Sequence, residues 1–433
     1  MPAILAAAVS GHAPNLWMAL PFALLLSLIA IGPLAFHAFW ERSYPYFSAG
    51  LGSISAAYYL FILHDPTAIR RVTEEYISFM TLIGGLFVIS GGIHLTVKGE
   101  ATPLRNCIFL LAGAIAANLI GTTGASMLLI RPFVRMNKYR VTAHHVVFFI
   151  FIVSNVGGCL TPIGDPPLFL GYLKGVPFWW VFCRCWEAWL ITIGGLLAVF
   201  FYVDRRNFLR APREVREEKT ASEEWRFDGL PNLAFLGIAL GGVFLPLWWR
   251  EAVIAVAAAA SWAATPARVH EANRFNFAPV SEVAWLFAGL FATMLPALQW
   301  LEMNASTLGL RDPHHFYWVT GALSGFLDNA PTYLAFLVTA FGVTGLDLDQ
   351  PRAMAQFIAN HDRYLLAISL SSVFFGAMTY LGNGPNFMVK SIAREMKVET
   401  PGFAGYIVRY ALPMLLPLLL LVSILFFSRW RVF

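Results

Sequence analysis

A chain of 433 residues that is 58% hydrophobic and only 13% charged, with mean hydropathy +0.64, is not a soluble globular domain, which carries about 25% charged residues. Its net charge of +5 does not signal nucleic acid, because the basic residues cluster at the ends of apolar segments, where the positive-inside rule puts them. Cys107, Cys159, Cys183 and Cys185 lie in or beside apolar runs with no metal-ligand spacing beyond a C-x-C; they read as small core residues and fix no redox compartment.

Residues 1–15 are mildly apolar but lack a basic leader, so no cleaved signal is expected. Leu16–Phe36 is the first span, and Tyr46–His64 a weaker one, diluted by Gly50, Gly52 and serines. Tyr76–Val97 follows, with Gly84-Gly85 and Gly91-Gly92 suited to close helix packing. Leu104–Val134 is apolar on both sides of Gly121-Thr122-Thr123-Gly124-Ala125-Ser126. It reads as one long tilted helix or as a re-entrant hairpin with that string at its tip; the hairpin is preferred.

Ser154–Pro167, SNVGGCLTPIGDPP, then interrupts a hydrophobic segment with three glycines and three prolines. Glycine favours non-helical backbone and proline removes an N–H, so the segment is unwound near its middle. In lipid this is tolerated only where the freed backbone lines a cavity, as in the broken helices of transporters. Phe178–Val203 is another span, and Asp204–Asp228 is a strongly hydrophilic stretch expected to be a cytoplasmic linker. Gly229–Trp249, the shorter Ala252–Ala264 and Ser281–Leu301 follow. His314–Val343 then repeats the hairpin pattern around Leu327-Asp328-Asn329-Ala330-Pro331-Thr332. A second broken helix is expected from about Tyr364 to Ala393, and Ala404–Ser428 is the last span.

The second break, Ser372–Asn386, aligns with the first without a gap. Ser154 falls on Ser372, Gly158 on Gly376, Thr161 on Thr379, Gly164 on Gly382, Asp165 on Asn383 and Pro167 on Pro385. With the linker placed inside, Arg131–Arg140, Arg268–Arg274 and Arg394–Lys397 also fall inside and both termini outside, although Arg429 and Arg431 oppose this. The hairpins then open to opposite sides. The expected fold is an all-α polytopic membrane protein with two inverted repeats, each holding a re-entrant hairpin and a broken helix. Residues 1–70 and 229–280 would be scaffold, 71–203 and 281–433 the repeats, and 204–228 the linker.

The candidate site is the set of tips and breaks: Thr122, Thr123, Ser126, Ser154, Asn155, Thr161, Gly164, Asp165, Asp328, Asn329, Thr332, Thr379, Gly382, Asn383 and Asn386. Hydroxyls, amides, carboxylates and unwound carbonyls are hard donors suited to an alkali cation, and half-helix N-termini suit an anionic group. Asp165, Asn155, Thr161, Asp328 and Asn383 are the expected sodium ligands. Intramembrane acids are functional candidates. Asp165, standing before Pro166-Pro167, could equally cap the following helix; Asp328, one residue before an expected Asn329 cap, has less structural reason to be there. His144-His145 and His314-His315 are expected at interfaces, as are Trp179-Trp180 and Trp248-Trp249. Lys174 and Lys390 are expected to snorkel or to meet a helix C-terminus.

SNVGGCLTPIGDPPLFLGYLKGVPF (Ser154–Phe178), GTTGASMLLIRP (Gly121–Pro132) and FLDNAPTYLAF (Phe326–Phe336) resemble the ion transporter superfamily. This group includes divalent-anion/sodium symporters, citrate–metal transporters, arsenite-permease-like proteins and D-type sodium/proton antiporters. The likeness covers about residues 75–425 and is nearest to the citrate-transport branch, often labelled sodium:proton antiporter. It implies two inverted repeats, a homodimer, and sodium or substrate carboxylate held at Thr122–Ser126, Asn329–Thr332, Thr161–Pro167 and Thr379–Asn386. Neither tip has the Ser-Asn-Thr string of the symporters, and Asp165 stands where they carry an uncharged residue. The TPIGD string is similar to the D-type antiporters.

Three readings follow. Sodium/proton antiport is favoured, with Asp165 and Asp328 binding sodium or protons in turn. Cation-coupled symport of citrate or another di- or tricarboxylate is the alternative. A membrane enzyme or channel is the third, with no HExxH or Gly-x-Ser-x-Gly in its favour. No organic cofactor and no nucleic acid is expected; sodium, protons and the lipid bilayer are, in a bacterial inner membrane.

Overall fold

The computed structural model describes residues 15–96, 101–138, 140–210, 226–348, 350 and 352–428. The leader question, Arg429, Arg431 and most of the hydrophilic linker lie outside them. Proline and small acceptors set where many helices begin. Asp65-Pro66, Thr102-Pro103 and Asp312-Pro313 each place an accepting side chain at the N-cap and a proline in the first turn, where its missing N–H costs nothing. The fold is almost wholly helical. Its exception among the described residues is a short antiparallel ladder, with His94–Thr96 pairing with Arg226–Asp228. The end of the expected linker is therefore tied to the end of the third span. Its beginning is tied as well, because the helix Phe178–Arg210 carries Asp204 into the buried interior.

Among the described residues, six helical segments are long and apolar enough, by length and composition, to cross a membrane: Pro66–Gly91, Pro103–Met136, Ala143–Leu160, Phe178–Arg210, Ala278–Leu301 and Phe403–Phe427. With the shorter helices they make a multi-pass integral membrane protein. The first span matches the expectation, a 3-10 turn at Leu16–Ala19 running into Leu20–Ala35, and the second begins earlier, as His37–Ala57. The stretch after the linker forms only Pro231–Gly242. Helix Ala278–Asn304 packs on His37–Ala57 and on Pro66–Gly91, and Trp249–Ala264 packs on Pro66–Gly91.

Pro103–Met136 is a hairpin rather than a straight span. Along one helix Phe109 and Phe133 would be about 36 Å apart, yet their ring centroids lie 5.4 Å apart. Asn106 and Asn137 exchange hydrogen bonds of 2.9 and 3.0 Å at its open end. The reversal is at Gly121, whose φ of 74° is the left-handed region open to glycine. The second hairpin is Pro313–Ser324 and Asn329–Thr344, with Phe316 and Phe336 ring centroids 6.2 Å apart.

The broken helices are Ala143–Ile152 with Pro166–Leu173, and Ala353–Phe375 with Gly384–Glu395, the latter starting earlier than expected. Helix Phe178–Arg210 ties the two systems together. Near its end Asp204 receives Asn106 at the mouth of the first hairpin, at 2.9 Å. Near its start Arg184 meets Asp362, at 2.5 Å, and Tyr364 beside it donates to Arg311 O at the mouth of the second hairpin. The 20 residues between Arg184 and Asp204 rise about 30 Å, so the hairpins open at opposite ends of this helix.

Candidate functional site

The two tips are seated by the same set of bonds. Thr122 N–H donates to Gly164 O at 2.8 Å, and Asn329 N–H to Gly382 O at 3.1 Å. Thr161 Oγ1 donates to Asn118 O at 2.7 Å, and Thr379 Oγ1 to Gly325 O at 2.6 Å. Gly164 presses on Gly158 O and Gly382 on Gly376 O, so closely that a Cβ at either glycine would collide. The loops are thus folded on their own backbone, and each loop offers a carbonyl to a tip.

Asp165 stands where these parts converge. It occupies the N-cap position of Pro166–Leu173 but makes no cap hydrogen bond. The other aspartates at N-cap positions, Asp65, Asp312 and Asp328, all accept from helix N–H groups. The Asp165 carboxylate instead accepts from Thr122 Oγ1 at 2.7 Å, Asn383 Nδ2 at 2.9 Å and Asn329 Nδ2 at 2.6 Å. Side chains from one tip, the other tip and the other loop close on one buried carboxylate. The described ion pairs give it no Lys, Arg or His partner.

Around this centre Asn383 Nδ2 also donates to Ser154 O, and Ser126 and Ser154 hydroxyls are 2.7 Å apart. Asn155 donates to Ile150 O and to Asn386 Oδ1, and Asn386 donates to Gly376 O and Thr379 O. Asn155 Oδ1 and Asn329 Oδ1 are buried acceptors without a hydrogen bond. Both side chains border Gly376, where a Cβ would lie 2.9 Å from Asn155 Oδ1 and 3.5 Å from Asn329 Nδ2. Orphaned amide oxygens near an unpaired carboxylate fit a hard cation. A cavity of about 30 Å³ reaches Asp165, lined by Thr122, Thr123, Gly164, Pro166 and, on helix Pro66–Gly91, Leu86 and Phe87. Such a volume holds water or a bare ion.

Several expected ligands also make structural bonds. Asp328 is itself the N-cap of the second tip, accepting from Ala330 N–H at 3.0 Å, and Asn329 is the first helical residue that reaches Asp165. The two roles are the reverse of the expectation, because the cap lies one residue earlier. Asp328→Asn should therefore keep the cap, since asparagine caps as well as aspartate, and the variant's melting temperature in detergent should stay close to that of the native chain. Thr161 and Thr379 brace their loops, and the Thr332 hydroxyl bonds back to Asp328 O.

Sequence reasoning missed Asn118. It is buried, donates to Ala114 O and Gly157 O, and accepts from Leu160 N–H. A lone amide four residues before the tip was its signal. It also missed the second polar cluster. His144 and His145 are buried, not interfacial, with Nε2 atoms 3.2 and 3.1 Å from Asp204 Oδ1. Both Asp204 oxygens also receive the Arg140 guanidinium. The two imidazoles and the carboxylate could converge on a metal, but Arg140 already fills the carboxylate with positive charge, and the group reads as an ion cluster. Lys174 pairs with Glu75 at 2.6 Å. Lys390 lies buried, 4.0 Å from the Tyr380 ring centroid, and neither snorkels nor reaches Asp165.

A family model described as "Putative citrate transport" matches residues 11–427. No curated protein matches the chain. Discontinuous helices that meet at a buried polar centre are a recurring feature of secondary transporters, and the family match covers the hairpins and both breaks. The chain belongs to this citrate-transport family of integral membrane proteins.

Proposed function

We propose that the chain is a cation-coupled secondary transporter with Asp165 as the carrier of the coupling ion, and that sodium/proton exchange is its reaction. The observation that carries this is the buried Asp165 carboxylate, held by three neutral donors and, among the described ion pairs, by no Lys, Arg or His. An ionised carboxylate in that position is costly until a cation joins it. Sodium and a proton both meet the need, and binding one excludes the other. Asn329 Oδ1, on the amide that donates to Asp165, and Asn155 Oδ1 are buried acceptors free to take a cation. The 30 Å³ cavity has room for an ion but not for a tricarboxylate. The opposite openings of the hairpins along Phe178–Arg210 support an inverted-repeat plan and alternating access, with tips and breaks moving against the helices that wall the site.

The second reading is symport of citrate or a related carboxylate with sodium, favoured by the family description. It requires the site to widen when cargo enters. Both readings are tested in proteoliposomes holding a pH dye, under an imposed sodium gradient. Proton movement without any organic anion is the result expected for exchange. Silence without citrate, and flux once citrate is added, would overturn exchange in favour of symport.

A further inference from the structure

Outside the Asp165 site the molecule has a larger polar opening. A cleft of about 480 Å³ is lined by Arg71, Glu74, Glu75 and Ser78 on one wall and by Tyr172 and Leu173 on the other, with Arg250 at its edge. Its walls are the same two helices that bound the Asp165 cavity. On Pro66–Gly91 the cavity is lined from Leu82 onward and the cleft up to Ser78. On Pro166–Leu173 the cavity ends at Phe169 and the cleft begins at Tyr172. About one helical turn, roughly 5 Å, separates the two spaces.

The seam between these helices is fastened at the cleft. Lys174 Nζ lies 2.6 Å from Glu75 Oε1, with side chains only 19% and 15% exposed. Tyr172 Oη adds a bond to Val243 O at 3.0 Å. Two other cleft charges are tied locally: Arg250 binds Glu251 and Ser78, and Glu74 binds Arg70. At the exit of the other broken helix, Glu395 meets Arg131 at 3.5 Å and Arg274 at 3.9 Å, but it is half exposed and water screens such a pair. Among the described residues, Lys174–Glu75 is the sheltered ion pair that joins a broken helix to the wall helix.

We propose that the cleft is the access vestibule of the Asp165 site and that the Lys174–Glu75 pair is the bolt closing it. The role of a vestibule rests on the transport reading. The bolt itself is a statement about which residues close a path, and holds whichever small ion or carboxylate passes. Lys174 ends its half-helix, where the helix dipole also favours a cation, so the bolt moves with Asp165 rather than with the wall.

The test is the labelling rate of Ile83→Cys, at a residue that lines the Asp165 cavity on Pro66–Gly91, by a membrane-impermeant methanethiosulfonate. It is made in full-length protein in vesicles, with the four native cysteines replaced by alanine. Leu247→Cys in the cleft fixes the side of attack. Labelling of Ile83→Cys from that side should rise at least tenfold in Lys174→Gln and in Glu75→Gln. It should return toward the native rate in the charge-swapped Lys174→Glu/Glu75→Lys pair. An unchanged rate in both neutralised variants, a rise only from the opposite side, or a rise that the swap leaves in place would overturn the bolt. The readout needs no cargo, so failure of sodium/proton exchange in the flux assay would leave this result standing.

Discussion

Asp165→Asn should abolish sodium-driven proton flux while leaving the protein folded. The substitution removes the one charged oxygen pair at the meeting point of both tips and both breaks, yet barely changes shape. A unit charge about 4 Å from a cation contributes about 4 kcal/mol at an effective dielectric of 20, roughly 1000-fold in affinity. Sodium binding by calorimetry should weaken by at least 100-fold on the same scale. The cost in stability is smaller. Thr122 and Asn383 donate to Oδ1 and Asn329 to Oδ2, so an amide keeps an acceptor for the first two and sets its own NH₂ against the third. One mismatched buried bond costs about 1–3 kcal/mol, visible as a modest fall in melting temperature in detergent. Intact flux in Asp165→Asn would remove the carboxylate from the coupling step and leave it as a structural tie between the two halves.

How much of this site could be read in advance depended on the kind of signal. Glycine and proline act through local backbone rules, so both breaks and both tips were visible, and the gapless alignment of Thr161 with Thr379 and Gly164 with Gly382 reappears as matched hydrogen bonds. The choice between hairpin and long helix rested on the Gly121 string, and Gly121 is where the chain reverses. What could not be read was phase and distance. Whether Asp328 or Asn329 faces Asp165 turns on which residue caps the tip, a shift of one position that rotates a helical side chain by about 100°. The cluster at Asp204 joins residues 60 and more positions apart. A hydrophilic run signals a linker by composition, and composition does not register that its first acid is drawn back into the helix before it.

That acid carries the largest stability effect expected. Arg140 and Asp204 side chains are 2% and 0% exposed. The carboxylate also receives His144, His145 and Asn106, while Arg140 reaches Ala101 O and Asn207 reaches Arg140 O. The cluster closes the open end of the first hairpin against the start of the broken helix and the end of Phe178–Arg210. Asp204→Asn keeps the shape but leaves the guanidinium buried without its counter-charge, which costs about 3–5 kcal/mol. The variant should melt well below the native protein in detergent. Arg140→Met/Asp204→Leu removes both charges together, and because a buried pair often contributes little net stability over apolar residues, the double variant should recover much of that loss. Equal losses in the single and double variants would mean that the hydrogen bonds of His144, His145 and Asn106, rather than the charge pair, hold the hairpin mouth. A hairpin anchored this way is tied to Phe178–Arg210, so the alternating-access proposal puts its slack on the other flank, where Leu86 and Phe87 of Pro66–Gly91 line the cavity beside the tip.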